Sequence, residues 1–406
     1  MTKEKEKILI LTSSFPAKKN SFRGGGNFVY DLATFLSKDY SIIVLTPLLN
    51  NTLRKEKFDE INIYRFAFLP FKSLYKYFSN GILSAFKENS FLKLLLPLFL
   101  ICQLFALKKV LKKEKNIRLI HTHWLIPQGF IASLHKNIFN KKIKILSTSH
   151  GSDILSFNSG IGLKMKKYAL KNIDELTVVS NYLKEKILET VFKNPIHVYP
   201  MGLKTNDFLH QKADIEIKKK YDINGELLLF IGRLTEVKGL KYLLKAMPEI
   251  INNHPNIKLL IVGDGVLKNR LIAQVSELNI KENIVFCGQL DHHELPKYYA
   301  TSDIFIGPSL SEGFGLTFAE AACSGTIVVA SSLPSIKDII INEKTGFLVK
   351  PKSHKDISDT VLKILSSEND LTAIKKNASE HVIKNFDWGK VAKNYNSLYS
   401  KLLQNN

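Results

Sequence analysis

Short runs of apolar, often β-branched residues recur along the first half of the chain, and amphipathic stretches separate several of them. These runs have the length and composition of strands buried on both faces of a parallel sheet. They lie at residues 7–12, 41–46, 118–121, 143–149 and 176–180. Helical periodicity follows in segments such as 28–37 and 165–171. The first half therefore predicts strands that alternate with helices.

The second half repeats this order of strand, turn and helix. Its apolar runs lie at residues 227–232, 258–263, 284–288, 304–308 and 327–331. Such alternation in both halves favours two parallel, doubly wound sheets, and therefore two Rossmann-like α/β domains. The polar stretch 202–224 marks the expected boundary, with one domain over 1–202 and the other over 203–387. The last helical stretch, 388–406, has no strand after it and is expected to pack back on the first domain.

Residues 72–115 depart from this pattern because they are both very apolar and very basic, with Glu88 and Glu114 as the acids. The most apolar part, 94–107, is shorter than the ~20 residues that span a bilayer. One interpretation is a helix buried in the first domain. The other is a patch on an anionic membrane surface, with lysines around Phe, Leu and Tyr side chains. The lysines concerned are Lys72, Lys76, Lys87, Lys93, Lys108, Lys109, Lys112 and Lys113.

Composition and charge narrow the class of protein. The chain has 406 residues, of which 45% are hydrophobic and 23% charged, as expected for two globular domains. Three widely spaced cysteines argue for a reducing compartment, and the N-terminal residues lack the long apolar stretch of a signal peptide. The net charge of +21 is concentrated in residues 1–200, which hold 32 Lys and Arg against 14 Asp and Glu. No nucleic-acid-binding motif occurs, so a lysine-rich composition or an anionic partner surface explains the charge better.

The most informative stretch is 309–320, S-L-S-E-G-F-G-L-T-F-A-E, where a predicted strand gives way to a glycine-rich loop and then a helix. Gly313 and Gly315 allow backbone N–H groups to approach a ligand closely, and the helix N-terminus adds positive potential. This combination favours phosphate binding. Glu312 in the loop and Glu320 about two turns into the helix would direct two carboxylates toward one ligand with sugar or ribose hydroxyls. A capping acid and a solvated helix acid are the structural alternative.

A second candidate site lies at Gly232-Arg233-Leu234 and Lys238-Gly239. Arg233 directly follows a predicted strand, at the carboxyl edge where open α/β sheets bind ligands. The guanidinium fork of Arg233 and the point charge of Lys238 would neutralise a diphosphate leaving group. Gly263-Asp264-Gly265 forms a further turn at a strand end, which is a weak indication because Asp-Gly turns are common.

These motifs resemble those of the retaining glycosyltransferases of family 4, also described as glycosyl transferases group 1. The second half has G-R-L-x-x-x-K-G at 232–239, V-G-D-G at 262–265 and E-G-F-G-L-x-x-x-E at 312–320. The first half has Gly24-Gly25-Gly26, H-x-H-W at 121–124 and S-H-G-S-D at 149–153. Pro200-Met201-Gly202 is similar to the P-N-G turn of that family, with Met201 in place of Asn. The resemblance implies the GT-B fold, in which two Rossmann-like domains face a central cleft.

The resemblance also implies a role for each matching residue. Arg233 and Lys238 would bind the donor diphosphate, and Glu320 would bind the ribose hydroxyls. Glu312 and His150 would contact the transferred sugar, so His150, Arg233, Lys238 and Glu312 are the implied catalytic residues. The other implied donor-binding residues border the same ligand, and they are Gly25, Gly26, Asp153, Gly232, Gly263, Gly265, Gly313, Phe314, Gly315 and Leu316.

Three further residues near these motifs are open to more than one interpretation. Asp153 would either orient His150 or act as the N-cap of a helix that begins at Ile154. His121 and His123 alternate at a strand end, and we expect structural or acceptor-side roles because no third metal ligand lies nearby in sequence. The resemblance implies no metal and no cofactor beyond the nucleotide-diphosphate sugar, since Arg, Lys and a helix N-terminus provide the positive charge.

We therefore expect transfer of a hexosyl unit, with retention of configuration, from a nucleotide-diphosphate sugar to a hydroxyl of a glycan or glycolipid acceptor in polysaccharide biosynthesis. Domain 1–202 would bind the acceptor, and domain 203–387 the nucleotide sugar. The expected location is cytoplasmic and peripheral, on the anionic inner face of a membrane, with no nucleic acid as partner. The alternatives are a nucleotide-sugar 2-epimerase of the same fold and a basic membrane-binding protein with a vestigial site.

Overall fold

The computed structural model describes residues 5–19, 27–69, 75, 90–190, 192, 194–366 and 371–404. The chain forms two compact units, the first made of Met1–Gly202 with Trp388–Asn406 and the second of Leu203–Asp387. Each unit has its own sheet and its own hydrophobic core.

The first unit contains an eight-stranded sheet in the order β3-β4-β2-β1-β5-β6-β7-β8. Its strands are β1 Lys7–Leu11, β2 Ser41–Pro47, β3 Lys55–Phe58, β4 Ile61–Phe66, β5 Ile117–His123, β6 Lys144–Ser149, β7 Glu175–Val178 and β8 Ile196–Val198. Neighbouring strands of this sheet are parallel, except that β3 runs antiparallel to β4. The strand order reverses between β1 and β5, which is the switch point where sheets of this kind bind ligands.

Seven described α-helices accompany this sheet. They are α1 Asn27–Leu36, α2 Leu96–Lys113, α3 Phe130–Phe139, α4 Ser152–Leu155, α5 Gly160–Asn172, α6 Asn181–Leu188 and, from the end of the chain, α15 Trp388–Gln404. The final helix α15 packs against α1 and adds Trp388, Tyr395 and Tyr399 to the core of the first unit.

The second unit contains a six-stranded parallel sheet in the order β11-β10-β9-β12-β13-β14. Its strands are β9 Leu227–Ile231, β10 Lys258–Val262, β11 Ile284–Gly288, β12 Ile304–Gly307, β13 Ile327–Ser331 and β14 Phe347–Val349. Its described α-helices are α7 Thr205–Phe208, α8 Ile215–Lys220, α9 Leu240–Asn253, α10 Lys268–Glu277, α11 Leu295–Thr301, α12 Leu316–Cys323, α13 His354–Ser366 and α14 Thr372–Phe386. The switch point lies between β9 and β12.

Each apolar run of the sequence coincides with a strand, and all of these strands except the edge strand β11 lie inside a sheet. Four further strands have no such run. Strand β3 reads KEKF and is mostly solvent-accessible at the sheet edge, because an edge strand needs no continuous apolar surface. Strands β8 and β14 are edge strands of three residues each. Strand β4, INIYRF, mixes polar and apolar residues.

Helix α2 explains the basic, apolar segment, although residues 70–74 and 76–89 lie outside the described part. One face of α2 buries Phe99, Gln103, Leu107 and Val110, as a core helix should. The opposite face exposes large apolar side chains, including Ile101 at 53% and Phe105 at 62%. The buried face agrees with the interpretation as a helix of the first domain, and the other face leaves large apolar side chains exposed. No described helix is long and apolar enough to cross a membrane.

Candidate functional site

Three loops meet at the switch point of the second sheet. They follow β9, β10 and β12, and their backbones are hydrogen-bonded to one another. The amide of Leu234 donates to the carbonyl of Asp264 at 2.9 Å, and that of Leu310 donates to Val237 at 2.8 Å. The carboxyl ends of these three strands therefore form one surface.

Glycines allow these backbones to approach so closely. A Cβ on Gly263 would lie 2.0 Å from the carbonyl oxygen of Gly232, and one on Gly265 would lie 2.5 Å from that of Leu234. Gly315 has a φ of 104° and directly precedes α12, so the strand, glycine-rich loop and helix follow one another as the sequence indicates. Gly313, Phe314 and Leu316 lie in or next to this loop, with Phe314 buried.

Lys238 and Glu312 form a largely buried ion pair on this surface. The Nζ atom of Lys238 lies 2.5 Å from Oε1 of Glu312, and their side chains are 20% and 10% exposed. Ser309 donates to the same oxygen at 2.7 Å, and Ser335 donates to the Glu312 carbonyl at 2.8 Å. The two residues expected on the diphosphate and on the sugar thus contact each other directly. Arg233 is exposed in the same loop as Lys238, immediately after Gly232.

Glu320 lies on α12 but has a different set of partners. His292 is bonded through Nε2 to Oε1 of Glu320 at 2.9 Å, and the hydroxyl of Tyr299 donates to Oε2 at 2.8 Å. The Glu320 side chain is only 5% exposed. Burial, with Glu320 alongside, raises the pKa of Tyr299 well above its usual value, so Tyr299 stays a hydrogen-bond donor. Glu312 and Glu320 therefore do not share one set of contacts.

In the first unit, the carboxyl ends of β5 and β6 bring three histidines together. His121 bonds through Nδ1 to the Tyr399 hydroxyl at 2.6 Å and through Nε2 to Thr148 at 2.7 Å, so it is a structural residue. His123 Nδ1 lies 3.0 Å from Nε2 of His150. Burial lowers the pKa of His121 and of His150 to about 3 each, and that of His123 well below its usual value. All three are neutral imidazoles at neutral pH.

Asp153 lies between the chain segments that carry these histidines. It is fully buried, accepts a hydrogen bond from the Leu125 amide at 2.6 Å and another from the Ser149 hydroxyl at 2.7 Å. Burial raises the pKa of Asp153 in spite of these bonds. One expectation needs correction, because Gly151, not Asp153, is the N-cap of α4. Asp153 holds the two chain segments that follow β5 and β6.

Several contacting residues were not singled out from the sequence. In the first unit Trp124 lies against His150, with ring centroids 4.9 Å apart and a strained φ of 75°. In the second unit these residues are His292, Tyr299, Ser309 and Ser335. Trp124 and Ser309 had a local signal, since Trp124 ends the H-x-H-W motif and Ser309 stands in the glycine-rich loop three residues before Glu312. Gly25 and Gly26 lie outside the described residues.

The described residues contain no group of three or more His, Cys, Asp and Glu that could hold a metal ion. A small pocket of about 10 Å³ borders His123, His150, Met201 and Trp388, which is room for about one water molecule and not for a sugar. The candidate ligand surfaces are therefore the carboxyl ends of the strands in the first sheet and those in the second sheet.

Two family models match consecutive parts of the chain, and curated proteins of known sequence are similar to it. Residues 22–207 match the model of Glycosyltransferase Family 4, and residues 212–381 match that of Glycosyl transferases group 1. An uncharacterised glycosyltransferase of Methanocaldococcus jannaschii is 32% identical over 233 residues, which are 55% of this chain and 59% of that protein. N-acetyl-alpha-D-glucosaminyl L-malate synthase of Bacillus anthracis is 26% identical over 72% of this chain and 77% of its own.

Solved structures share the fold over almost the whole chain. Sucrose-phosphate synthase from Thermosynechococcus elongatus superposes with a TM-score of 0.81 at 23% identity, covering 99% of this chain and 100% of the other. Anabaena HepE in complex with UDP-glucose has a TM-score of 0.75 at 16% identity. The match covers 97% of this chain and 99% of the HepE chain. With two adjoining family models and a shared architecture of two parallel-sheet units, the chain belongs to the family 4 glycosyltransferases, has their GT-B fold and is a transferase of that class.

Proposed function

We propose that this protein transfers a hexosyl unit, with retention of configuration, from a nucleotide-diphosphate sugar to an acceptor hydroxyl. The observation that carries the proposal is the Lys238–Glu312 pair, at the switch point of the second sheet and next to the start of α12. Arg233 stands in the same loop as Lys238. Ligands of open α/β sheets bind at such a point. A distant structural relative, HepE, was solved with UDP-glucose, which supports a donor of this chemical class.

Departure of a nucleoside diphosphate places negative charge on the β-phosphate and positive character on the sugar. Arg233, Lys238 and the amides at the start of α12 would stabilise the phosphate charge, and loss of one such donor typically costs about 2.7–4 kcal/mol of the activation barrier. Glu312 holds the Lys238 ammonium in place and would lie near the sugar. Same-face attack by the acceptor hydroxyl would retain the anomeric configuration.

Glu320 and His150 would recognise the uncharged parts of the donor. Glu320 is held by His292 and Tyr299, and the remaining lone pairs of its carboxylate could accept bonds from ribose hydroxyls. His150 is neutral near pH 7, so it would bind a sugar hydroxyl by hydrogen bonding and not by charge.

Calorimetric titration of UDP tests the donor site. We expect Arg233→Ala combined with Lys238→Ala to weaken binding at least a hundredfold, because each charged hydrogen bond contributes about 1.5–3 kcal/mol. Arg270→Ala with Lys281→Ala is the control, since it removes the same charges from exposed positions of the same unit. Equal affinity in both double variants would overturn the donor site.

Turnover assays separate transfer from the alternatives. Transfer should continue in EDTA, because cationic side chains meet the diphosphate. Conversion of the nucleotide sugar without any acceptor would instead identify a 2-epimerase. Loss of activity in EDTA with recovery on adding magnesium or manganese would contradict this account of the site.

We propose further that the acceptor is a lipid-linked glycan at an anionic membrane surface. The support is the outer face of α2 and the residues just before it, where four large apolar side chains are spaced as one helical stripe. They are Leu94, Leu98, Ile101 and Phe105, exposed by 72%, 40%, 53% and 62%. Ile138 and Phe139, at the end of the neighbouring helix α3, are exposed by 59% and 41%. We call these six residues the apolar stripe.

The opposite face of α2 strengthens this proposal. Gln103 is completely buried there, and neither polar atom of its side chain has a hydrogen-bond partner among the described residues. A helix that buries an amide while exposing Leu, Ile and Phe has the reverse of the usual pattern for a water-facing surface. Such a pattern suits a helix whose outer face meets lipid.

The basic residues beside the stripe suit anionic headgroups. Lys108, Lys109, Lys112 and Lys113 are exposed at the C-terminal end of α2, and Lys108 lies 4.1 Å from the centre of the Phe139 ring. Helix α2 leads into β5, so its N-terminal end lies toward the carboxyl edge that carries His150. An acceptor lipid held along α2 would therefore be near the ligand edge of the first unit.

Sedimentation with vesicles tests the membrane proposal. Binding should occur on phosphatidylserine-containing vesicles, weaken with salt, and fall when Lys108, Lys109, Lys112 and Lys113 become Gln, since each lysine near the surface contributes about 1 kcal/mol. Replacement of four lysines of the second unit, Lys218, Lys219, Lys220 and Lys281, is the charge-matched control. Equal recovery in the supernatant under all conditions would favour a soluble acceptor.

A further inference from the structure

Three aromatic side chains converge at the carboxyl edge of the first sheet. Phe28 lies on α1, which follows β1, whereas Trp124 and His150 directly follow β5 and β6. The ring centroid of Trp124 lies 6.0 Å from that of Phe28 and 4.9 Å from that of His150, and the latter two are 4.6 Å apart. All three residues are partly exposed, and we call them the aromatic platform. The platform therefore lies at the switch point between β1 and β5, where a ligand can reach it.

Trp124 holds its place in the platform through a strained backbone. Its φ of 75° and ψ of 137° lie outside the regions that a bulky residue normally adopts. The amide of Trp124 donates to the carbonyl of Thr148 at 2.7 Å, and its carbonyl accepts from the amide of Gly129 at 3.1 Å. The buried Asp153 accepts from the next amide, that of Leu125. Strain that surrounding contacts maintain is typical of binding sites, and here its result is a partly exposed indole directly before a completely buried leucine.

The chemistry of the aromatic platform favours an uncharged ligand. Burial lowers the pKa of His150 to about 3 and that of the adjoining His123 well below its usual value, so both rings are neutral at pH 7. A neutral aromatic surface suits an apolar face of a ligand better than a phosphate group. A pyranose ring presents such a face of C–H groups, and its hydroxyl oxygens can accept a hydrogen bond from an indole N–H.

The position of the platform distinguishes between the two sugars of the proposed reaction. In that reaction His150 binds a hydroxyl of the transferred sugar, and the acceptor must lie next to the sugar that it attacks. Trp124 is in ring contact with His150. We infer that Trp124, with Phe28 beside it, stacks on a sugar ring of the acceptor and so selects an acceptor that is itself a glycoside. This inference rests on the proposed function for the identity of the acceptor, but the contact with a sugar ring can be measured without turnover.

Saturation-transfer NMR with selective irradiation of aromatic protons tests this contact. The probes are the octyl glycosides of glucose, galactose, mannose and N-acetylglucosamine, each below its critical micelle concentration, with native protein and UDP. We expect transfer to the ring C–H protons of at least one glycoside, binding weakened about fivefold in Trp124→Leu, and nearly native binding in Trp124→Phe, which keeps an aromatic face. Transfer to the octyl chain alone would assign the platform to a lipid and overturn the inference. Equal binding by Trp124→Leu, or transfer to none of the four glycosides, would overturn it as well.

Thermal unfolding separates a binding role of Trp124 from a packing role. Glycine adopts a φ of 75° without strain, so Trp124→Gly should keep the melting temperature within about 3 °C of the native value while abolishing the transfer to sugar. Trp388→Phe is the control, because this change at the buried tryptophan of the same unit should lower the melting temperature and leave the transfer intact. A fall of more than about 10 °C in Trp124→Gly would mean that Trp124 serves packing. Absence of UDP binding in the native protein would count against the proposed donor and leave the sugar contact standing.

Discussion

Gly239 shows how a single residue determines the geometry of the donor loops. Its φ of 64° lies in the left-handed region, and a Cβ there would be 2.0 Å from the carbonyl oxygen of Pro308. The turn after β9 and the loop after β12 therefore pack backbone against backbone. Only glycine allows this approach, which brings Lys238 to Glu312.

We expect Gly239→Ala to lower the free energy of unfolding by about 3 kcal/mol or more, because the backbone must shift as well as adopt a strained φ. Affinity for UDP should fall with it. Gly325→Ala is the matched control, with a φ of 75° and no atom within 4 Å of the added Cβ. It should cost only about 1–2 kcal/mol and leave affinity unchanged. Urea unfolding and calorimetry measure both, and equal effects of the two changes would contradict this explanation.

The buried histidines predict a stability that depends on pH. Burial lowers the pKa values of His121, His123 and His150 far below 6.5, so the unfolded chain binds protons that the folded protein does not. Their contribution is complete above pH 6.5 and is lost as the pH falls below it. Near pH 5, each of these histidines should lower the free energy of unfolding by about 1.4 kcal/mol for every unit by which the pH falls.

Urea unfolding between pH 7.5 and 5 measures how steeply the free energy of unfolding changes with pH, which is the slope in question. His121→Gln removes one of these protons and should make the slope shallower by about 1.4 kcal/mol per pH unit near pH 5. A slope unaffected by His121→Gln would show that this histidine is not neutral in the folded protein.

At the scale of elements, α2 is the helix whose role differs most from that of its neighbours. Its inner face packs on the sheet through Phe99. The ring centroid of Phe99 lies 5.4 Å from that of Phe66 and 5.0 Å from that of Phe68. Its outer face carries part of the apolar stripe, and a membrane would remove these side chains from water. The hydrophobic effect of burying one large apolar side chain is about 1.5–3 kcal/mol.

We expect replacement of Leu98, Ile101 and Phe105 by Ser to weaken binding to anionic vesicles at least tenfold without lowering the melting temperature, since these side chains already face solvent. The control replaces Leu53, Ile161 and Ile215, which are exposed by 66%, 75% and 65% elsewhere. Vesicle sedimentation and thermal unfolding measure the two effects. Equal binding by both triple variants would mean that the apolar stripe does not insert.

At the scale of the whole molecule, the chain ends meet in one core. Helix α15 brings Tyr399 to His121, 278 positions earlier, and Tyr395 to Thr148 and Thr177. Gly202 lies directly against the Trp388 ring, where an added Cβ would be 2.2 Å from Cδ2 of the indole. The first unit therefore requires the last residues of the chain for its core.

Tyr399→Phe should destabilise the first unit by about 1–3 kcal/mol, because it leaves Nδ1 of the buried His121 without its partner. Tyr168→Phe is the control, since the Tyr168 hydroxyl accepts its bond from Asn137 at the surface. That change should cost less than about 0.5 kcal/mol. Urea unfolding followed by tyrosine and tryptophan fluorescence measures both, and similar costs would argue that the His121 contact contributes nothing net.

The sequence by itself determined the features that depend on neighbours along the chain. Apolar runs of strand length, the helices between them and the glycine-rich loop before α12 all follow from backbone hydrogen bonding and side-chain periodicity within a few residues. The motifs at 232–239 and 312–320 indicated the family for the same reason. Edge strands such as β3 were not predicted, because a solvated strand needs no apolar run in the sequence.

Only the tertiary structure decided which functional side chains touch. Lys238 and Glu312 are 74 positions apart, and His123 and His150 are 27 apart. These contacts arise because strand order places β9 beside β12 and β5 beside β6, which no local pattern specifies. The same holds for Glu320, whose partners His292 and Tyr299 precede α12, and for the outward face of α2. Local periodicity creates the elements, whereas long-range packing selects which of their side chains meet.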